Sequence, residues 1–142
     1  MTPRRITHLI GHSEWDGTAE RTGDVFNPAT GEVSGKVDFA SKALVDEVVA
    51  SAASAAAEWG QSSLAKRTQV LFAFRQLLND NKEHIAALIT AEHGKVTSDA
   101  IGEVTRGLEV AEFACGIPHL LKGGFSENVS TNVDAYSILQ PL

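Results

Sequence analysis

The sequence predicts an α+β fold that is mostly helical, with a short β-hairpin region, about four helices and a C-terminal extended strand. Three observations lead to this fold class. The first forty of the 142 residues alternate short apolar runs with turn signals. Residues 41–117 place apolar side chains at helical spacing. Residues 129–142 lose that spacing, which predicts extended chain.

The N-terminal region is predicted to contain a hairpin and a separate strand. Residues 6–15 alternate loosely around the turn residues 11–13, which is typical of a two-strand hairpin. The Asn-Pro and Thr-Gly pairs at residues 27–31 predict a turn. Apolar and polar residues alternate over Val33–Phe39, so we expect a half-buried strand there.

Three helices follow, each with one apolar side that we expect to face inward. Their ends are marked by capping and breaking residues, namely Ser41, Gly60, Ser62 or Ser63, residues 79–81, and Gly94. The apolar sides predicted to be buried are Val45, Val48, Val49, Ala52, Ala53, Ala56 and Trp59; Val70, Leu71, Phe74, Leu77 and Leu78; and Ile85, Leu88 and Ile89.

A fourth helix is predicted from Thr97 or Ser98 towards Gly116, with apolar residues on two sides. The two stripes are Ile101, Val104, Leu108, Ala111 and Cys115, and Val110, Phe113, Ala114 and Ile117. Gly102 and Gly107 lie inside this helix, where each costs about 1 kcal/mol relative to alanine. Interior glycines therefore suggest close approach of a neighbouring element. Pro118 is expected to kink or restart the helix.

Composition excludes several classes of function. A chain of 142 residues suits one domain, since two complete domains need roughly 200 residues. Twelve basic residues are scattered among eighteen acidic ones, which argues against nucleic acid as a partner. The longest apolar runs are far below the roughly 20 residues of a membrane span, and no secretory signal is visible. The single cysteine and these absences predict a cytoplasmic protein.

Most chemical motifs are absent. Residues 31–37 resemble a phosphate loop, but three residues instead of four separate the glycines and Val37 replaces the magnesium-binding hydroxyl, so a turn and strand are the better interpretation. The five histidines fall on different predicted elements and form no metal motif. Cys115 is placed near a helix C-terminus, which disfavours a thiolate, so we interpret it as a buried packing thiol rather than a nucleophile.

Arg106 is the strongest candidate for a functional side chain. An arginine on a helix with two apolar sides must pair with an anion or extend into water. Its planar guanidinium can bind a carboxylate through two hydrogen bonds. The residues leave open whether that carboxylate belongs to a substrate or to a neighbouring acid such as Glu103 or Glu109.

Several segments together resemble the aldehyde dehydrogenases. Residues 25–33 resemble the N-P-A-T-G-E stretch near the start of that family, and residues 74–78 and 88–95 resemble the helices and E-x-G-K turn that follow. Residues 99–110 and 112–123 are more discriminating, since they resemble the coenzyme A-acylating, methylmalonate-semialdehyde dehydrogenase branch. The resemblance covers essentially the whole chain.

The resemblance implies an activity for a complete enzyme. In that branch a cysteine thiolate attacks the aldehyde, NAD accepts the hydride, and coenzyme A releases the acyl group, as in the catabolism of valine and related compounds. Methylmalonate semialdehyde gives propionyl-CoA with loss of carbon dioxide, and malonate semialdehyde gives acetyl-CoA. The arginine of the branch's G-E-V-x-R-G motif is associated with the substrate carboxylate and matches Arg106.

The resemblance also implies that this chain is only the N-terminal portion of such an enzyme. The family's oxyanion-hole asparagine, cofactor-binding residues and nucleophilic cysteine lie beyond the position matching Leu142, so we assign no catalytic, cofactor-binding or metal-binding residue. We expect neither tight cofactor binding nor activity of the chain alone. Residues 1–142 would form one incomplete domain, part of the NAD-binding domain, with residues 129–142 starting the oligomerisation arm.

One departure accompanies this resemblance. Leu139 stands where the family tail carries an arginine. Because the chain also ends where the family's next segment would begin, we expect either a truncated or split reading frame or a deliberately expressed fragment. The alternative function is a non-catalytic structural or assembly module that pairs with itself, as a homo-oligomer, or with a separately encoded C-terminal fragment. Such pairing would use apolar surface and an unpaired strand edge.

Overall fold

A computed structural model describes residues 3–140. Over this range the chain forms seven strands and five helices: β1 Arg4–Ile6, β2 Leu9–Ile10, β3 Ser13–Glu14, β4 Arg21–Phe26, β5 Val33–Phe39, α1 Lys42–Gly60, α2 Leu64–Asp80, α3 Lys82–His93, α4 Thr97–Ala114, α5 Ile117–Leu120, β6 Phe125–Ser130 and β7 Val133–Tyr136. Two compact units are formed, one from Met1–Gln61 and Glu83–Gly102, the other from Ser62–Lys82 and Glu103–Leu142. The mostly helical α+β prediction is confirmed.

The first unit contains a three-stranded sheet in the order β1-β5-β4. Strand β5 has the predicted bounds, pairs antiparallel with β4 and parallel with β1. The predicted hairpin is present as β2 and β3, and Gly11 adopts a φ of 63° in its turn. The sequence patterns do not predict β1 or β4, because pairing of β1 with a strand thirty residues away leaves no local signal.

A tight turn joins β4 to β5. The side-chain oxygen of Asn27 accepts a hydrogen bond from the Ala29 amide at 2.8 Å, and the Gly31 amide donates to the Asn27 carbonyl at 2.8 Å. Gly31 has a φ of 73°, a conformation that glycine adopts without a steric penalty. The predicted Asn-Pro and Thr-Gly turn is therefore confirmed.

A partly buried ion pair ties β1 to β5. The Asp38 side chain is only 4% exposed and that of Arg5 is 50% exposed. Arg5 donates to Oδ2 of Asp38 from Nε at 2.8 Å and approaches it with Nη2 at 2.6 Å. Arg5 also donates to the Gly17 carbonyl, and its guanidinium lies 5.9 Å from the centre of the Trp15 ring. The hydrogen bond from Arg5 lowers the pKa of Asp38 below its ordinary value of 3.8, against the opposing effect of burial.

We expect the free energy of unfolding to depend on this carboxylate at acidic pH. Because the pKa of Asp38 is lowered in the folded chain, its stabilising effect is complete above the ordinary pKa of 3.8 and is lost as the pH falls through the lowered pKa. Asp38→Asn should lower stability at neutral pH and flatten the decline below about pH 5. Urea unfolding from pH 7 to pH 3 measures both.

A matched control comes from an exposed ion pair in the same sheet. Asp24 pairs with Lys36 across β4 and β5, and both side chains are well exposed. Asp24→Asn should change stability little at any pH, since exposed pairs contribute about 0–1 kcal/mol. Equal pH profiles for the two variants would show that the Asp38 pair does not stabilise the sheet.

The ends of α1, α2 and α3 lie where the capping residues predict them. The Ser41 and Ser63 hydroxyls each accept a backbone hydrogen bond at 3.2 Å, from the amides of Leu44 and Lys66. After α3, Gly94 adopts a φ of 82° and its amide donates to the Thr90 carbonyl at 2.9 Å. The local capping signals therefore give the correct boundaries.

The predicted inward faces of these helices are mostly exposed in the structure. Only Leu44 in α1, Thr68 in α2 and Ala86 in α3 are buried. Many of the large side chains predicted to be buried are exposed, namely Val45, Val48, Val49, Trp59, Val70, Phe74, Leu77 and Leu88. This prediction was wrong because helical spacing shows that a helix has an apolar side but not that a second layer covers it.

Helix α4 buries one of its two apolar stripes. Of the first stripe, Val104, Leu108 and Ala111 are buried and Ile101 and Cys115 are half-buried. Of the second stripe, Val110 and Phe113 are exposed and Ala114 and Ile117 are half-buried. The predicted restart at Pro118 is seen as the separate short helix α5, with the proline in its first turn. No helix in residues 3–140 is both long and apolar enough to cross a membrane.

The C-terminal region forms a hairpin rather than one extended strand. Strands β6 and β7 pair antiparallel, with Phe125 opposite Tyr136 and Ser130 opposite Val133. Every residue of both strands is exposed. The sequence prediction placed the start of the extended tail at residue 129 and missed the pairing, because Asn132 forms the turn with a φ of 60° without a neighbouring glycine.

Candidate functional site

Arg106 lies on the outward side of α4. It follows the buried Val104 by two positions, which places it about 200° around the helix axis from the packed stripe. The Arg106 side chain is exposed and makes no hydrogen bond or salt bridge to any residue within 3–140. Among residues 3–140, Arg106 forms no salt bridge with Glu103 or Glu109.

Two further residues share this side of α4 with Arg106. Val110 and Phe113 follow at spacings of four and seven, and they are 68% and 71% exposed. We call Arg106, Val110 and Phe113 the outward face of α4. It combines a cation with exposed apolar side chains.

An ion pair holds α4 against α2 within the second unit. Arg75 donates to Oε1 of Glu112 from Nε at 2.8 Å and also from Nη2. A cavity of about 390 Å³ lies beside this pair and is lined by Phe72, Arg75, Gln76, Glu112 and Cys115. The pair joins residues 37 positions apart, so spacing alone does not reveal it.

Cys115 lies directly after α4 and is half-buried, not fully buried as interpreted from the sequence. Its thiol donates to the Ala111 carbonyl at 3.3 Å. The nearby Arg75 guanidinium is engaged by Glu112 and so is not free to activate the Cys115 thiol.

Residues 31–37 form a turn and a strand rather than a phosphate loop. Gly31 belongs to the turn before β5, and the following residues pair as a strand instead of leading into a helix N-terminus. A Cβ at Gly35 would lie 3.1 Å from the Arg4 carbonyl, so this glycine serves strand packing. Within residues 3–140, no group of three or more histidine, cysteine or acidic side chains is arranged to hold a metal ion.

The sequence pattern identifies Arg106 as a candidate but does not predict that Val110 and Phe113 beside it are exposed. The spacing of Val110 and Phe113 was recognised as an apolar stripe and interpreted as a sign of burial on more than one side. Their spacing of four and seven from Arg106 places all three residues on one side of the helix. The exposure of that side is seen only in the structure.

Comparisons with known proteins match this chain to part of a family of longer proteins. The profile of the aldehyde dehydrogenase family matches residues 15–142. The malonate-semialdehyde dehydrogenase of Pseudomonas aeruginosa is 44% identical over 137 residues, which cover 96% of this chain and 27% of that protein. The malonate-semialdehyde dehydrogenase of Listeria innocua is 42% identical over 140 residues, which cover 98% of this chain and 28% of that protein.

Solved structures also match nearly the whole of this chain and less than a third of their own length. A protein from Sinorhizobium meliloti, assigned as a methylmalonate-semialdehyde dehydrogenase and solved with NAD, matches with a TM-score of 0.91 and 43% identity, over 99% of this chain and 29% of its own. Methylmalonate-semialdehyde dehydrogenase from Oceanimonas doudoroffii matches with a TM-score of 0.90 and 41% identity, over 97% and 28%. The chain thus spans little more than a quarter of the length of these relatives, at their N-terminal end.

Proposed function

Because the chain belongs to the aldehyde dehydrogenase family, we propose that it forms the N-terminal portion of an NAD-dependent, coenzyme A-acylating dehydrogenase of malonate or methylmalonate semialdehyde. The names of the similar proteins from Pseudomonas aeruginosa and Oceanimonas doudoroffii support this substrate class. The products would be acetyl-CoA or propionyl-CoA, carbon dioxide and NADH. Residues 129–142 would begin the oligomerisation arm, after a part of the NAD-binding domain.

The observation that carries this proposal is the position of Arg106. Both semialdehydes bear a carboxylate, and an exposed guanidinium without an internal acceptor can bind it through two charge-assisted hydrogen bonds. Arg106 would thereby select acidic aldehydes and fix one end of the substrate, so that the aldehyde carbon is held in one orientation. The role is binding and orientation, since the guanidinium does not contact the reacting carbon.

We assign no residue of this chain to NAD, and no step through the cofactor is derived from it. In the complete protein, bound NAD would supply the hydride acceptor and coenzyme A the acyl acceptor. We assign this chain only the carboxylate end of the site. By itself it would catalyse no turnover.

An assembled enzyme tests this proposal. We expect the chain joined to the downstream portion of the Pseudomonas aeruginosa relative to form NADH and acyl-CoA from either semialdehyde. The chain alone, assayed under the same conditions, should form neither. Turnover by the chain alone that disappears in Cys115→Ala would contradict the proposal, because Cys115 would then be the nucleophile.

The β6–β7 hairpin favours a second candidate function, a structural or assembly module. All of its residues are exposed, and an isolated two-stranded hairpin is at best marginally stable in water. Its unpaired edges offer hydrogen-bonding groups to another strand, supplied by a second copy or by a separately encoded C-terminal fragment. A monodisperse monomer in light scattering, with or without that fragment, would contradict this candidate.

A further inference from the structure

We draw no further inference here: the strongest candidate, the largely apolar cavity of about 270 Å³ between the β2–β3 hairpin and α1 that His8, Leu44 and Val48 help to line, is bordered by the exposed side chains of Leu9 and Val49, and nothing in residues 3–140 shows what covers it.

Discussion

Arg106→Ala should lower kcat/KM for malonate semialdehyde by about 10- to 100-fold in the joined enzyme. A hydrogen bond to a charged group contributes about 1.5–3 kcal/mol, and each 1.4 kcal/mol corresponds to a tenfold change. The loss is expected to be this large because Arg106 has no internal partner that would have to be given up on binding. Steady-state kinetics with varied semialdehyde measures it.

Two comparisons separate carboxylate binding from general damage to the enzyme. Propionaldehyde has no carboxylate, so its kcat/KM should be unchanged by Arg106→Ala. Arg106→Lys keeps the charge but loses the planar guanidinium. Its kcat/KM for malonate semialdehyde should therefore lie between that of the unmodified joined enzyme and that of Arg106→Ala. Equal losses for propionaldehyde and malonate semialdehyde would show that Arg106 does not bind the carboxylate.

Ala86→Leu should lower the free energy of unfolding by about 1–3 kcal/mol, because added carbons in a filled interior force displacement of their neighbours. Ala86 in α3 has an exposed fraction of 0%, so its side chain is already enclosed. Urea unfolding of the 142-residue chain, followed by circular dichroism, measures the change.

The neighbouring alanine provides the control. Ala87 lies on the same helix and is exposed, and leucine and alanine are both strong helix formers. Ala87→Leu should therefore change the unfolding free energy by no more than about 0.5 kcal/mol. Equal destabilisation by both substitutions would show that α3 does not pack through Ala86.

The elements that sequence reasoning predicts correctly are those with local signals. Ser41 and Ser63 cap their helices by bonding amides three residues ahead, and Gly94 ends α3 with a positive φ. Strand β5 has its predicted bounds because its alternation extends over its whole length. Each of these features is determined by residues within a few positions, where the sequence carries the full information.

The candidate site was predictable only in part. Resemblance points to Arg106, but residue types alone leave open whether an acid on the same helix neutralises it. The structure resolves this by placing Arg106 without a partner in residues 3–140.

Local sequence signals predict where the helices begin and end, where β5 runs, and that α4 has two apolar stripes. Which of the two stripes is packed emerges only from the folded chain, since both satisfy the same helical period and only contacts between distant residues distinguish them. The tertiary structure also decides that β1 pairs with β5 and that the C-terminal region folds back as β6 and β7. Pairing and burial depend on residues far apart in the chain, whereas capping and turn signals act only on their neighbours.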